Sequence, residues 1–102
     1  MNAIVAALLL AAAPAPRVIQ LSVTDNGFEP QTVTAKKGEK LRLVVTRKTE
    51  HTCAKEVHIK DAGIARKLPL NVPVEIDLTP ARAGQLRYAC SMDMVAGALL
   101  IE

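Results

Sequence analysis

"GQLRYACSMDMVAGALLIE", residues 84–102, sets an alternating segment, a sulfur-rich stretch and an apolar segment side by side. In the first part Leu86, Tyr88 and Cys90 fall on one side and Arg87 on the other. That period of two marks a half-buried strand. "GALLIE" reads as a further strand. Between them Cys90, Met92 and Met94 alternate with Ser91 and Asp93, and Gly97 follows, which reads as a loop. Three of the five sulfur-bearing residues of the chain are here: it has two cysteines and three methionines, and the others are Cys53 and Met1.

The same period recurs upstream. "RVIQLSVT" alternates Ile19, Leu21 and Val23, and "KLRLVVT" alternates Leu41, Leu43 and Val45. "VPVEIDLTP" turns Val74, Ile76 and Leu78 inward and Glu75 and Asp77 outward. "QTVTA" is a short strand. "AKEVHIK" puts Lys55, Val57 and Ile59 on one face and Glu56 and His58 on the other. "DNGFEP" and "KKGE" are turn signals. "DAGIARKLPLNVP" reads as loop with one helical turn near Ala65. About seven short strands separated by Pro and Gly, with no helical periodicity, predict an all-β, antiparallel or mixed sandwich. Its predicted core includes Ile19, Leu21, Leu43, Val57, Ile76, Leu86 and Leu99.

A chain of 102 residues is one domain at most. "MNAIVAALLLAAAPAP" opens with an apolar run from Ala3 to Ala13, the length of a signal-peptide h-region and too short to span a bilayer. Residues 1–15 are therefore expected to be a signal peptide and residues 18–102 the domain, with a retained flexible tail as the alternative. No cysteine near the run offers a lipid attachment site. Export to the periplasm or another extracytoplasmic space follows. The net charge of +3 is spread along the chain and interleaved with acids, which is the pattern of a solvated surface. One Tyr, one Phe and no Trp give single-stranded nucleic acid nothing to stack on. No Ser-His-Asp or paired-carboxylate constellation is present, so no enzyme is expected.

The phase of the alternation brings Cys90 onto the face of Leu86 and Tyr88. Cys53 is in phase with Lys55 and Val57. Both thiols are expected to meet at one end of the sandwich. Three readings then compete. As packing, buried Cys and Met are ordinary core residues. As a structural disulfide, Cys53 to Cys90 would stabilise the fold by roughly 4 kcal/mol in the chain-entropy model. As a metal site, thiolates and thioethers select Cu(I). Zinc would want four Cys or His ligands, and iron–sulfur clusters three or four cysteines. Only the metal reading gives Met92 and Met94 a role.

These segments resemble a known family. "NGFEPQTVTAKKGEKLRLVVT" is similar to the opening of cupredoxin-like domains. "KEVHIKDAGI" resembles the segment around their first metal-binding histidine, and residues 84–102 resemble their last two strands with the ligand loop between. The resemblance covers residues 18 to 102 and implies a Greek-key β-sandwich. The chain departs from blue-copper members: Lys55 falls at the first-histidine position and Met92 where a histidine is expected, whereas a blue-copper site takes two His and one Cys with a weak axial Met. Cys53 with Cys90-Ser-Met92-Asp-Met94 is similar instead to the Cu(I)-binding branch, which includes copper chaperones and domains attached to copper-exporting P-type ATPases. The resemblance implies Cys53, Cys90, Met92 and Met94 as ligands for one or two Cu(I) ions. By position in the chain, His51, two residues before Cys53, is a candidate to reach or shield the site, and Lys55 a candidate nearby cation that would favour thiolate over thiol. His51 and Lys55 also read simply as polar surface residues, and His58, out of phase with Val57 and Ile59, reads as exposed.

The expected function is a monomeric, cell-envelope Cu(I) carrier that buffers copper or passes it to an exporter or another copper-handling protein. Neither nucleic acid nor a membrane span in the mature chain is expected. An electron-carrying cupredoxin and a non-metal module with a Cys53–Cys90 disulfide are the alternatives.

Overall fold

The structure is a computed structural model and describes residues 15–90 and 94–102. Nine strands are present among them: β1 (Arg17–Thr24), β2 (Gly27–Glu29), β3 (Thr32–Ala35), β4 (Leu41–Arg47), β5 (Glu56–Ile59), β6 (Ile64–Lys67), β7 (Val74–Leu78), β8 (Gly84–Ala89) and β9 (Ala96–Ile101). They form two sheets, ordered β2-β1-β4-β7 and β3-β9-β8-β5-β6. The pairs β1–β4 and β3–β9 are parallel and the others antiparallel, so the sandwich is mixed.

Alternation does most of the building. Ile19, Leu21 and Val23 of β1, Leu41, Leu43 and Val45 of β4 and Ile76 of β7 are buried from one sheet. Val57 and Ile59 of β5, Tyr88 of β8 and Leu99 and Ile101 of β9 meet them from the other. A one-residue slip in any of these strands would turn its apolar set to water, and this fixes register. All seven predicted core residues belong to this cluster, Leu86 as a half-buried member. On the outer face Arg42 pairs with Asp77 at 2.8 Å and Glu75 at 3.5 Å, so one basic residue at least is spent within the sheet.

The structure corrects the sequence reading in two segments. "DNGFEP" is a turn only at its start. Gly27, at φ 101°, leads into β2, which buries Phe28. Phe28 stands edge-on to Tyr88 with ring centroids 5.1 Å apart. A strand of three residues has no visible period, and only the aromatic contact rewards its pairing with β1. "DAGIARKLPLNVP" carries its helical turn at Lys60–Ala62, ahead of Ala65, and then the strand β6. β6 is an edge strand with Ala65, Arg66 and Lys67 exposed. Basic residues suit an edge that must not pair further, and they erase the apolar signal.

Candidate metal centre

Cys90 directly follows β8 and is 2% exposed. Cys53 lies in the turn before β5 and is exposed. The two sulfurs are 3.4 Å apart. The expectation that both thiols meet at one end of the sandwich therefore holds. Neither cysteine lies within a strand. β5 begins only at Glu56, because the preceding backbone bends: the Lys55 N–H donates to the Cys53 carbonyl at 2.9 Å, and the Lys55 carbonyl accepts from the Leu68 N–H at 2.8 Å. The same bend takes Lys55 off the inward face that its sequence phase predicted, and it is exposed.

Met94 and Val95 both bond to Cys90. The Cys90 N–H donates to the Val95 carbonyl at 2.9 Å, and the Met94 N–H donates to Cys90 Sγ at 3.3 Å. An amide aimed at sulfur stabilises charge there and turns the sulfur's remaining lone pairs elsewhere. The Met94 side chain is 74% exposed, which leaves its thioether open to solvent. Met92 lies outside the described residues.

The Cys53 pKa is raised above the usual cysteine range. Its hydrogen bond with Cys90 is the main cause, followed by burial and the proximity of the Cys90 charge. A metal bound there would have to displace the Cys53 proton. His51 and Lys55 are both exposed. The His51 N–H donates to Thr49 Oγ1 at 3.0 Å. Among the described residues no hydrogen bond or ion pair joins either side chain to the thiols. His58 is half-buried and pairs with Glu56 at 2.9 Å.

Distances indicate what the pair can hold. A disulfide needs sulfurs ~2.05 Å apart. Two sulfurs each ~2.3 Å from one d10 ion, in trigonal or tetrahedral geometry, stand roughly 3.8–4.0 Å apart. The observed 3.4 Å would have to open by about half an ångström for an ion, but close by more than an ångström for a disulfide. Among the described residues no group of three or more His, Cys, Asp and Glu side chains could hold a metal. A nitrogen- or oxygen-rich site for a harder ion is therefore not assembled among them.

Sequence reasoning had no means of finding the supports of the Cys53 turn. Arg47 Nε donates to the Leu68 carbonyl at 2.7 Å, and Nη1 to the Thr49 carbonyl at 2.9 Å. Thr49 Oγ1 in turn bonds Asp25. The Ala54 N–H donates to Thr52 Oγ1 at 3.0 Å. These are backbone carbonyls and short hydroxyls in loops, where residue type carries little signal.

A family model described as a cupredoxin-like domain matches residues 1–101. Among solved structures, the metal binding domain of the Streptococcus pneumoniae D39 Cu(I) exporting P-type ATPase CopA, with Cu(I), is similar at a TM-score of 0.79 and 22% identity; the match covers 89% of this chain and 92% of that one. A copper binding protein in the apo form, solved by NMR, is similar at 0.79 and 28% identity, over 88% and 91% of the two chains. The periplasmic domain of cytochrome oxidase subunit II (CoxB) of Bradyrhizobium japonicum has a TM-score of 0.66 at 13% identity, over 88% and 86%. No curated protein matches the sequence.

Proposed function

The chain belongs to the cupredoxin-like domain family, and from that premise we propose that it is an exported, cell-envelope Cu(I) carrier that holds the ion between Cys53 and Cys90. The observation that carries this reading is the pair of cysteine sulfurs 3.4 Å apart, one of them beside an exposed methionine. Thiolates and thioethers together are a donor set for Cu(I). The likeness to a copper binding protein at 28% identity supports it. Among the described residues no helix is long and apolar enough to cross a membrane. The apolar segment at residues 1–15 serves as a signal peptide in this reading, and residues 18–102 are the working domain.

Copper here is cargo. Cys90, buried and capped by the Met94 amide, is the fixed donor, and Cys53, exposed, is the one an incoming partner reaches. Met92 and Met94 complete the shell and let go first, because a neutral thioether binds more weakly than a thiolate. Transfer is ligand exchange to a copper exporter or another copper-handling protein, with no substrate turned over.

Alkylation tests the reading directly. In the apo protein Cys53 should react slowly at neutral pH and faster as pH rises, because its raised pKa keeps it a thiol longer than an ordinary cysteine. Cu(I) loading should suppress alkylation of both cysteines across that range, and a Cu(I) chelator should restore it. Oxidation to the disulfide should block loading. If native protein resists alkylation with and without copper, and takes up no Cu(I) after reduction, the pair is a structural disulfide.

The methionines give a graded result. Met92→Leu and Met94→Leu conserve volume and should leave the melting temperature in place. Each should weaken Cu(I) binding or lower the number of ions held per chain. Unchanged affinity and stoichiometry in both variants would remove the loop from the ligand set.

A further inference from the structure

Cys53 has neither of the usual means of fixing a side chain. It is outside any strand and it is exposed, whereas Cys90 is buried at the end of β8. Two sulfurs held 3.4 Å apart nevertheless require the Cys53 turn to be placed as firmly as a core element. The placing force is found at Arg47, the last residue of β4.

Arg47 is half-buried, and among the described residues no carboxylate pairs with it. Its guanidinium is spent on two backbone carbonyls, Thr49 at 2.9 Å and Leu68 at 2.7 Å. Both lie on segments that frame Cys53. Thr49 precedes Cys53, and its hydroxyl accepts the His51 N–H at 3.0 Å. Leu68 is buried and donates its own N–H to the carbonyl of Lys55, two residues beyond Cys53. One planar cation therefore grips the turn on both sides: directly at Thr49, and at Lys55 through the Leu68 peptide. The Arg47 backbone secures the far segment as well, its carbonyl accepting the Asn71 N–H at 2.8 Å beside a bridge to Leu70. Charge-assisted, forked donation of this kind is the strong and directional sort of hydrogen bond, and lysine cannot reproduce its geometry.

We propose that Arg47 is the positioning residue of the thiol pair, holding the Cys53 turn so that Cys53 Sγ stands against Cys90 Sγ. Its consequence for copper rests on the carrier reading above; the positioning itself is measurable without metal.

The test is the equilibrium of the apo protein's Cys53–Cys90 disulfide against a glutathione redox buffer. This reports the effective concentration of one thiol at the other, a quantity set by positioning. Arg47→Lys, Arg47→Gln and Arg47→Met are compared with Lys48→Gln, a control for loss of one exposed charge. Arg47→Gln and Arg47→Met should lower the exchange constant by about tenfold or more, given how steeply effective molarity falls with misplacement. Arg47→Lys, restoring charge but not the fork, should recover only part of it, and Lys48→Gln should change nothing. Thermal melting identifies any variant that does not fold, and Arg47→Lys keeps the test open should the others fail. Folded Arg47 variants with an unchanged exchange constant would overturn the proposal, even if their melting temperatures fall. Cu(I) affinity is measured on the same variants. A fall in both quantities supports positioning and carrier together. A lower exchange constant with undiminished Cu(I) affinity supports positioning and counts against the two thiols as the copper donors.

Discussion

Replacing Cys53 or Cys90 with serine should abolish tight Cu(I) binding. Closed four-ligand sites of thiolate and imidazole bind zinc with apparent free energies of ~10–16 kcal/mol, or roughly 3 kcal/mol per ligand. Losing one thiolate should therefore weaken binding by on the order of a hundred- to a thousandfold, more than either methionine variant. The two cysteines differ in how cleanly they report. Cys53 is exposed, so serine there costs little packing, and the melting temperature should stay close to that of the unchanged protein. Cys90 is buried, and its serine variant puts a hydroxyl in an apolar setting. Cys53→Ser is thus the decisive variant. It should stay folded and lose copper in a competition against a Cu(I) chelator. Retention of stoichiometric, high-affinity Cu(I) by folded Cys53→Ser would end the two-thiolate model.

The second large effect is on the fold. Gly97→Ala should destabilise the domain by at least the upper part of the ~1–3 kcal/mol usual for overpacking. A Cβ at residue 97 would lie 2.3 Å from Tyr88 Cε2, 2.6 Å from Tyr88 Cζ and 2.6 Å from the Gln31 carbonyl oxygen. None of these has room to retreat. The Tyr88 ring is wedged against Phe28, and its hydroxyl donates to the Pro30 carbonyl at 2.8 Å. The Gln31 carbonyl accepts the Ala98 N–H at 2.8 Å. Burial pushes the Tyr88 pKa up to about 12, so the phenol stays protonated and keeps that donation at ordinary pH. For a domain of this size each kcal/mol lowers the melting temperature by about 4–8 °C. A melting temperature unmoved by Gly97→Ala would show that β9 can shift away from Tyr88, contrary to the packing described. Because β9 follows the Met92–Met94 loop, a partly folded Gly97→Ala protein should also bind Cu(I) less tightly.

Much of this architecture was legible in residue order, because it follows from period alone. Leu41, Leu43 and Val45, or Leu86 and Tyr88, alternate with polar neighbours, and a half-buried strand is the structure that satisfies such a pattern. The convergence of Cys53 and Cys90 was expected from phase and from resemblance, yet the phase does not reach Cys53, because the chain turns before β5 begins. Elements with no repeating pattern were not readable. β2 has one apolar residue, Phe28, and β6 wears its basic residues outward. Each is held by pairing with a neighbour, β2 with β1 and β6 with β5. Lys55 shares the phase of Val57, but a turn intervenes, and periodicity cannot announce where a strand begins.

The sequence by itself determined an all-β sandwich, the inward faces of its main strands, and a soft donor set split between Cys53 and a Cys-x-Met-x-Met loop. These are local properties: side-chain type and the two-residue repeat of an extended backbone decide them. Only the tertiary structure decided that the sulfurs stand 3.4 Å apart, that one is buried and the other exposed, and that Arg47 bonds the segments on either side of the Cys53 turn. Those facts depend on contacts between residues far apart in the chain, such as Arg47 with Leu68 and Gly97 with Tyr88 and Gln31. Such contacts come into being when the sheets close on one another, and no segment read alone contains both partners.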